Sequence, residues 1–426
     1  MTRARHPLRH SYLSVTACII VAAIAMLAGH LFRVQSPQGQ TPFLSANDRS
    51  RWATVRALLE HGTYSLDEVS FTTPLPDDTG GPQPPRAKRD AEWHSIDMVR
   101  HRGADGREHF YSSKPPLLAT VVAGVCRVVE LATNARLADN PKYVGRLTLV
   151  FVNLVPLSFA WWLLARMLAD TGRTQAGRIF VLTAACFGTL LGPMAVTLNN
   201  HVPAAVATQI AVFAVWWLLS NLGNRTSNSG DRENGDTDSS ASDKGVSDSG
   251  AAIFESPTGW PRTLAVLRGW RERLANGGWR ECGWSAVAGG AAALATAFEL
   301  PALSLLAVLG LAVGVAAPRG ALLGFLPAAW MVGAVALGLN VAAHGEWRPA
   351  YANRADGPVV AEITAELWHA STKASAQVAP ALRDMLRQAG LEVSNHATHR
   401  PTKPAADGAM RWTLWDPETH RRWAVV

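Results

Sequence analysis

Long apolar runs alternate with strongly polar stretches along this chain. The first run, about Tyr12 to Phe32, follows Arg3, Arg5 and Arg9. It exceeds the h-region of a signal peptide and lacks a clear A-x-A site, so a retained first span is predicted, with residues 1–10 cytoplasmic. Full spans are also expected at about Leu147–Leu168, Ile179–Val196 and Val202–Leu219. Cys282–Ala317 is too long for one crossing and breaks at Glu299-Leu-Pro301 into two; the last span runs from about Leu322 to Ala343. The pattern therefore predicts an all-α polytopic membrane protein with seven spans within 11–343.

The stretches between these runs carry their own periodicities. In Phe43–Tyr64, Trp52, Val55, Leu58 and Leu59 recur at helical spacing, while Arg49, Arg51, Arg56 and Glu60 fill the other face. Ser45 supplies an N-cap and Gly62 a stop, so an amphipathic helix along the membrane surface is expected. Leu117–Ala132 is short for a span and carries Arg127 and Glu130. If it crossed, Arg262, Arg268, Arg271, Arg273 and Arg280 would all lie outside; if it lies in the interface or dips in and returns, they fall inside with Arg166, Arg173 and Arg178, and this placement is preferred. Residues 35–146 then form an outer loop containing a hairpin with arms Trp93–Val99 and His109–Ser112 around a turn at Gly103–Gly106. Within 220–260, the Ser/Asp/Gly/Asn tract Gly223–Gly250 reads as a disordered cytoplasmic linker. Pro261–Asn276 reads as an interfacial amphipathic helix, in preference to one packed on another protein. Residues 344–426 form a small mixed soluble segment outside, with a helix around Pro380–Ala389 and strand-like runs at Arg411–Asp416 and Arg422–Val426. Ending on such a run, this segment is expected to be incomplete.

Composition agrees with a membrane protein and narrows its partners. Hydrophobic residues make up 48% of the 426 and charged ones 17%, against about 25% charged in soluble domains. The mean hydropathy of only +0.06 reflects the alternation. The net charge of +7 lies largely in Arg beside apolar runs, which makes it an orientation signal rather than a nucleic-acid footprint. Cys18, Cys126, Cys186 and Cys282 sit in or at the ends of apolar runs without CxxC or Cys/His spacing, so no metal site is assigned.

Chemistry collects at the outer edge. Asp48 falls in the first turn of its helix, where backbone N–H groups favour the ionised form; spaced three from Ser45, it is equally half of a capping box with Asp in place of Glu. Lys114, in Ser113-Lys114-Pro115, either binds an anion or snorkels. Asn199, Asn200 and His201, in the turn between two spans, and Glu299, at the break in another, are either functional ionisable and polar groups or caps and solvated turn residues.

Asp48-Arg-Ser-Arg-Trp52, continued by Ala-Thr-Val-Arg-Ala-Leu-Leu-Glu-His-Gly-Thr-Tyr64, resembles the first outer-loop motif of the GT-C membrane glycosyltransferases, which reads Asp-Glu-x-Arg-Tyr in the aminoarabinose- and mannosyl-transferring branches. Tyr111-Ser-Ser-Lys-Pro-Pro-Leu117 resembles their Tyr-x-Glu-Lys-Pro-Pro-Leu, which opens a second juxtamembrane helix, and Arg146-Leu147 also fits. The resemblance covers about residues 10–345. It implies a GT-C-like module of seven spans and two juxtamembrane helices in an inner membrane, moving a sugar from a polyprenyl-phosphate carrier to an extracytoplasmic acceptor. Asp48 would be the base and Lys114 would hold the donor phosphate; Arg51, Tyr111, Asn200, His201 and Glu299 complete the expected substrate-binding set. Inverting transfer needs a carboxylate at the acceptor hydroxyl and a cation at the departing phosphate. No cofactor is called for, and a divalent metal has no ligand set in support. Two departures, Arg49 and Ser113 in place of the family's carboxylates, leave a rival: an inactive relative that binds lipid-linked sugar or scaffolds envelope polysaccharide assembly. A transporter is disfavoured, because the spans carry little charge at mid-membrane.

Overall fold

The computed structural model describes residues 7–37, 39–72, 88–103, 105, 107–233, 270–271, 273–275, 278–347, 363–374, 377–401, 412–418 and 421–425. The chain divides into two units, Met1–Tyr351 and Ala352–Val426.

The first unit is a helical membrane protein. Its helices are α1 (Pro7–Arg33), α2 (Ala46–Glu60), the short α3 (Asp67–Ser70), α4 (Pro116–Thr133), α5 (Pro141–Thr171), α6 (Gln175–Phe187), α7 (Leu191–Ala195), α8 (His201–Glu233), α9 (Trp279–Phe298), α10 (Leu303–Ala316) and α11 (Pro318–His344). Among the described residues, five stretches are long and apolar enough to cross a membrane: Ser14–Arg33 of α1, α4, α5, His201–Leu222 of α8, and α11. Val21, Phe180, Leu190, Leu311 and Trp330 stand largely exposed. Apolar surface of that extent needs lipid rather than water around it.

Most apolar runs became helices near their expected bounds, with instructive exceptions. The run Ile179–Val196 splits into α6 and α7. Gly188 closes α6, and Pro193, with no N–H to donate, would clash with an α-helical turn continuing below it. Two other prolines are absorbed instead: π-turns at Val150–Leu154 and Ala321–Phe325 each end two residues before a proline, Pro156 and Pro327. The tract expected to lose structure at Gly223 continues as helix to Glu233, because extending a formed helix costs only local propensity once nucleation is done. Residues 234–250 lie outside the described ones, as do 261–269 of the expected interfacial helix. The rest of that helix is helical at 270–271 and 273–275, where Trp270 Nε1 donates to Gly314 O at 3.0 Å.

Close helix packing relies on small residues. A Cβ on Gly289 of α9 would lie 2.2 Å from Phe325 O, and one on Gly324 would lie 2.2 Å from Cys282 O. Such backbone approach is how membrane helices associate without a hydrophobic drive between them.

Strands β1 (Met98–Arg102) and β2 (Glu108–Ser112) form the antiparallel hairpin, pairing Met98 with Ser112. The second arm was expected; the first begins five residues late. Residues 93–97 are taken by a turn in which Asp90 Oδ1 accepts from Glu92 N and Trp93 N while Ser95 Oγ donates to Ala46 O.

The second unit, described by itself, packs α12 (Ala365–Ala374) and α13 (Pro380–Gln388) with an antiparallel sheet in the order β3 (Thr398–Pro401), β4 (Trp412–Asp416), β5 (Arg421–Val425). Trp368, Leu382, Leu386 and Leu414 fill its core. Buried Asp416 accepts from Ser394 N and Oγ.

Candidate functional site

Helix α2 places the first group. Ser45 caps it as expected, its hydroxyl accepting from Asp48 N at 3.1 Å. The expected reciprocal half of the capping box differs: Asp48 Oδ2 accepts from Leu44 N at 3.0 Å rather than from Ser45 N, and Oδ1 reaches across to Leu198 N at 2.9 Å. Asp48 is only 2% exposed. Burial raises its pKa to about 6, against the lowering pull of the Leu44 and Leu198 N–H groups, Arg51 and Trp52. The helix is not a half-wetted surface element in its first turns. Ser50, Arg51, Ala53 and Thr54 are buried alongside Trp52 and Val55, because the 194–200 segment and the hairpin cover the face expected to meet water.

Arg51 joins that face to the span ends. Its guanidinium donates to Asn200 Oδ1 at 2.8 Å, to Asn47 O and to Leu198 O. Burial lowers its pKa, while the charges of Asp48, Asp97 and Glu299 hold it up. Asn200 passes the link on by donating Nδ2 to Phe298 O at 2.9 Å. Asn199 is the cap, accepting from His201 N and Val202 N. His201 Nδ1 lies 3.0 Å from Glu299 Oε1 at the open edge of the cluster.

Asn153, in the first π-turn, fixes this arrangement from behind: its Nδ2 donates to Ala195 O and Thr197 O, each at 2.9 Å. It thereby holds the loop that delivers Leu198 N to Asp48. An amide inside an apolar run is the sequence signal for such a brace.

Lys114 does not stand alone either. Its Nζ is 3.1 Å from Asp97 Oδ2, and Asp97 Oδ1 accepts from Ser113 Oγ at 2.6 Å. Asp97, at the end of the turn before β1, thus sets a carboxylate beside Ser113 and Lys114. The hairpin register sets 97 beside 113, with Ser113 N donating to Asp97 O, so Asp97 was legible only once the true start of the first arm was known. Lys114 and Arg51 line one narrow pocket with Thr54, Tyr64, Ser112 and His344, about 10 Å³ in extent, room for a single water. Asp48 lies behind Arg51 rather than in that lining.

Tyr111 goes elsewhere. Its ring stacks on His101 with centroids 4.3 Å apart and meets His344 edge-on at 5.1 Å. His101 Nε2 and His344 Nδ1 are 3.1 Å apart, joining the hairpin to the end of α11. Burial, then the charges of Asp105 and Asp67, push the Tyr111 hydroxyl up to about 12.

Of the seven expected site residues, Asp48, Arg51, Asn200, His201, Glu299 and Lys114 converge on one polar cluster, and Tyr111 faces a neighbouring cleft. Among the described residues, no group of three or more His, Cys, Asp or Glu side chains is placed to hold a metal ion. Comparisons with family models, curated proteins and solved structures return no match for this chain.

Proposed function

We propose that the chain is a GT-C-type membrane glycosyltransferase that moves a sugar from a polyprenyl-phosphate carrier to an acceptor outside the cytoplasm. The observation that carries this reading is convergence. Two motifs, around Asp48 and Lys114, meet the turns at Asn200 and Glu299 across long sequence separations, bringing a carboxylate and two cations together at one end of a helical bundle. Isolated caps and snorkelling lysines have no reason to converge.

In this reading the narrow pocket between Lys114 and Arg51 widens to admit the donor phosphate as Lys114 moves away from Asp97. The acceptor oxygen bonds to the anomeric carbon as the bond to phosphate breaks. The polyprenyl phosphate leaves with the electron pair, and the acceptor proton passes to the base, assigned to Asp48. A base whose pKa is near 6 is better matched to neutral pH than an ordinary aspartate.

The span arrangement belongs to the same proposal. Both ends of α4 return to the site edge. Lys114 precedes it there. After it, Leu137 N is tied back to Glu130 Oε1, Gly145 packs on Pro42 and Trp52, and Arg146 donates to Val34 O. A crossing of α4, ~27 Å long, would need the connection 134–140 to run nearly straight back. Its Arg127 also donates to Leu59 O at the end of α2, a helix bearing Arg49, Arg56 and Glu60. These contacts favour α2 and α4 as juxtamembrane helices and seven crossings by α1, α5, α6, α8, α9, α10 and α11.

One observation favours the rival reading, an inactive relative that binds lipid-linked sugar or scaffolds polysaccharide assembly: both Asp48 oxygens are engaged and the group is almost fully buried. Binding of a polyprenyl phosphate to the detergent-purified chain, followed by turnover with a polyprenyl-phosphate sugar, separates the possibilities. Binding weakened by Lys114→Met together with turnover supports the enzyme; the same binding without turnover selects the rival. No binding removes both.

A further inference from the structure

Beside the narrow pocket lies a much larger cleft of about 590 Å³, within the size range of small-molecule sites. Tyr64 lines both, so the two are neighbours. The two differ in charge. The narrow pocket holds Lys114 and Arg51; the cleft presents Asp67, Glu68 and Asp105, with His109, Ser65 and the Tyr111 ring. Ala342 and Ala343, from the end of α11, form an apolar wall.

The polar groups of the cleft are held in fixed roles. His109 Nδ1 is 2.7 Å from Asp67 Oδ2 and its Nε2 is 2.8 Å from Asp105 Oδ2. Burial alone would lower its pKa, but hydrogen bonds to Asp105 and Asp67 and their charges raise it. A ring with a carboxylate on each nitrogen donates on both sides, so His109 braces the two aspartates. Asp67 Oδ1 also accepts from Phe110 N. Asp105 Oδ1 accepts from Arg107 N, and Glu68 Oε2 lies 3.0 Å from His61 Nδ1. Three carboxylates line the cleft against one histidine, which disfavours phosphates and carboxylates there.

We infer that this cleft seats the acceptor, and that the part of the acceptor bound there is a polyhydroxylated group without negative charge, a neutral or amino sugar. The inference rests on the glycosyl-transfer reading above and adds the acceptor's chemistry to it. Carboxylates orient hydroxyl and ammonium donors, as charge-assisted hydrogen bonds do. A charge-sorted pair of sites keeps the anionic donor from occupying the acceptor's place. Because Asp48 lines neither pocket, the sugar held in the cleft is a binding group of the acceptor, and the reacting hydroxyl is a different part of it that extends past Tyr64 toward Asp48.

The test uses four versions of one hexose on the full chain in detergent: glucose, glucosamine, glucose 6-phosphate and glucuronate. Saturation-transfer NMR reads their binding, and binding of farnesyl phosphate is measured alongside. The expected order is glucosamine above glucose, with the two anions at least tenfold weaker. Ala342→Trp, which fills the cleft from its apolar wall, should abolish sugar binding while melting temperature and farnesyl phosphate binding stay unchanged. Glu68→Gln with Asp105→Asn should reduce the glucosamine preference at least threefold. Anions binding as well as glucose, or sugar binding that survives Ala342→Trp, would overturn the inference. So would absence of sugar binding in a chain that still binds farnesyl phosphate through Lys114, an outcome that leaves the donor reading standing. Sugar binding in the cleft without farnesyl phosphate binding would overturn the donor reading and the acceptor role with it, leaving only a sugar site.

Discussion

A carboxylate gripped by two backbone N–H groups tolerates an amide badly. In Asp48→Asn one carbonyl oxygen can still accept from Leu44 or Leu198, but the NH₂ then faces the other donor. An unsatisfied buried group of this kind costs about 1–3 kcal/mol, so the variant should melt lower as well as lose turnover, and turnover must be normalised to folded protein. Loss of at least about 10²-fold after that correction is expected of a base; full residual turnover would make Asp48 a brace and nothing more. The pH dependence is a separate reading. Asp48 holds its proton more tightly folded than unfolded, with a pKa of about 6 against 3.8. Its contribution favours the folded state below about pH 4 and is lost as pH rises through about 6. Melting curves should show the wild type declining across that window, with the pH-dependence of this step absent from Asp48→Asn. Asp97 makes a different prediction, because it competes with any anion for Lys114 at 3.1 Å. Asp97→Asn should tighten polyprenyl phosphate binding severalfold in a titration; weakened binding would mean that Asp97 positions Lys114 instead. At this scale the residue types of the cluster were readable from the motifs and turns. Their partners were not, since Asp48 with Leu198 and Arg51 with Asn200 are contacts that local spacing cannot contain.

Elements show a sharper division between what the chain announces and what it conceals. Ser45 and Gly62 mark the ends of α2 because capping and positive φ are local needs, and Gly62 does take φ 66. Where a proline falls in a long apolar run, sequence says only that a backbone hydrogen bond is lost. Whether the chain answers with a break, as before Pro193, or with a π-turn, as before Pro156 and Pro327, depends on what packs beside it. At Pro327 the neighbour is α9, and the glycines explain the fit. Gly324 and Gly289 let the π-turn and α9 approach backbone to backbone. Gly324→Val or Gly289→Leu should therefore force the helices apart, with a loss of about 1–3 kcal/mol or more seen as poor accumulation and early melting. Gly290→Ala is the control, since its Cβ would sit 3.7 Å from Ala328 Cβ in ordinary contact. Equal tolerance of all three would show that the close approach is not what holds α9 to α11.

Across the first unit, the described reversals between helices fall on two edges. The site edge gathers the end of α1, the Leu198–His201 turn, Phe298–Glu299 and His344, through contacts that Arg146, Asp48, Arg51, Asn200 and His101 make. The opposite edge gathers Leu222 and Arg280, which share a small pocket, together with Gly320, whose neighbour is Ser285 on α9, and Trp270 and Arg273, bonded to Gly314 and Val315. Arg271, Arg273, Arg280 and Arg319 all belong to that second edge, and the short α5–α6 connection carries Arg173 with Arg178 bonded across it to Gly172 O. Hydropathy alone left α4 able to cross or to lie flat. Charge bias preferred the flat placement, and the folded contacts at both ends of α4 favour it independently. The orientation prediction follows from lysine and arginine in short loops, which direct the cytoplasmic side. The Arg-rich edge should face the cytoplasm, putting Ser240 inside and Ser394 outside. In a background with Cys18, Cys126, Cys186 and Cys282 replaced, Ser240→Cys should resist a membrane-impermeant thiol reagent in intact cells and react after lysis. Ser394→Cys should react in both when the reagent can reach the outer face of that membrane. The reverse pattern would invert the protein, placing the Lys114 and Tyr111 pockets in the cytoplasm. Labelling of both positions in intact cells would give the chain between them an even number of crossings, and α9, α10 and α11 could not all span.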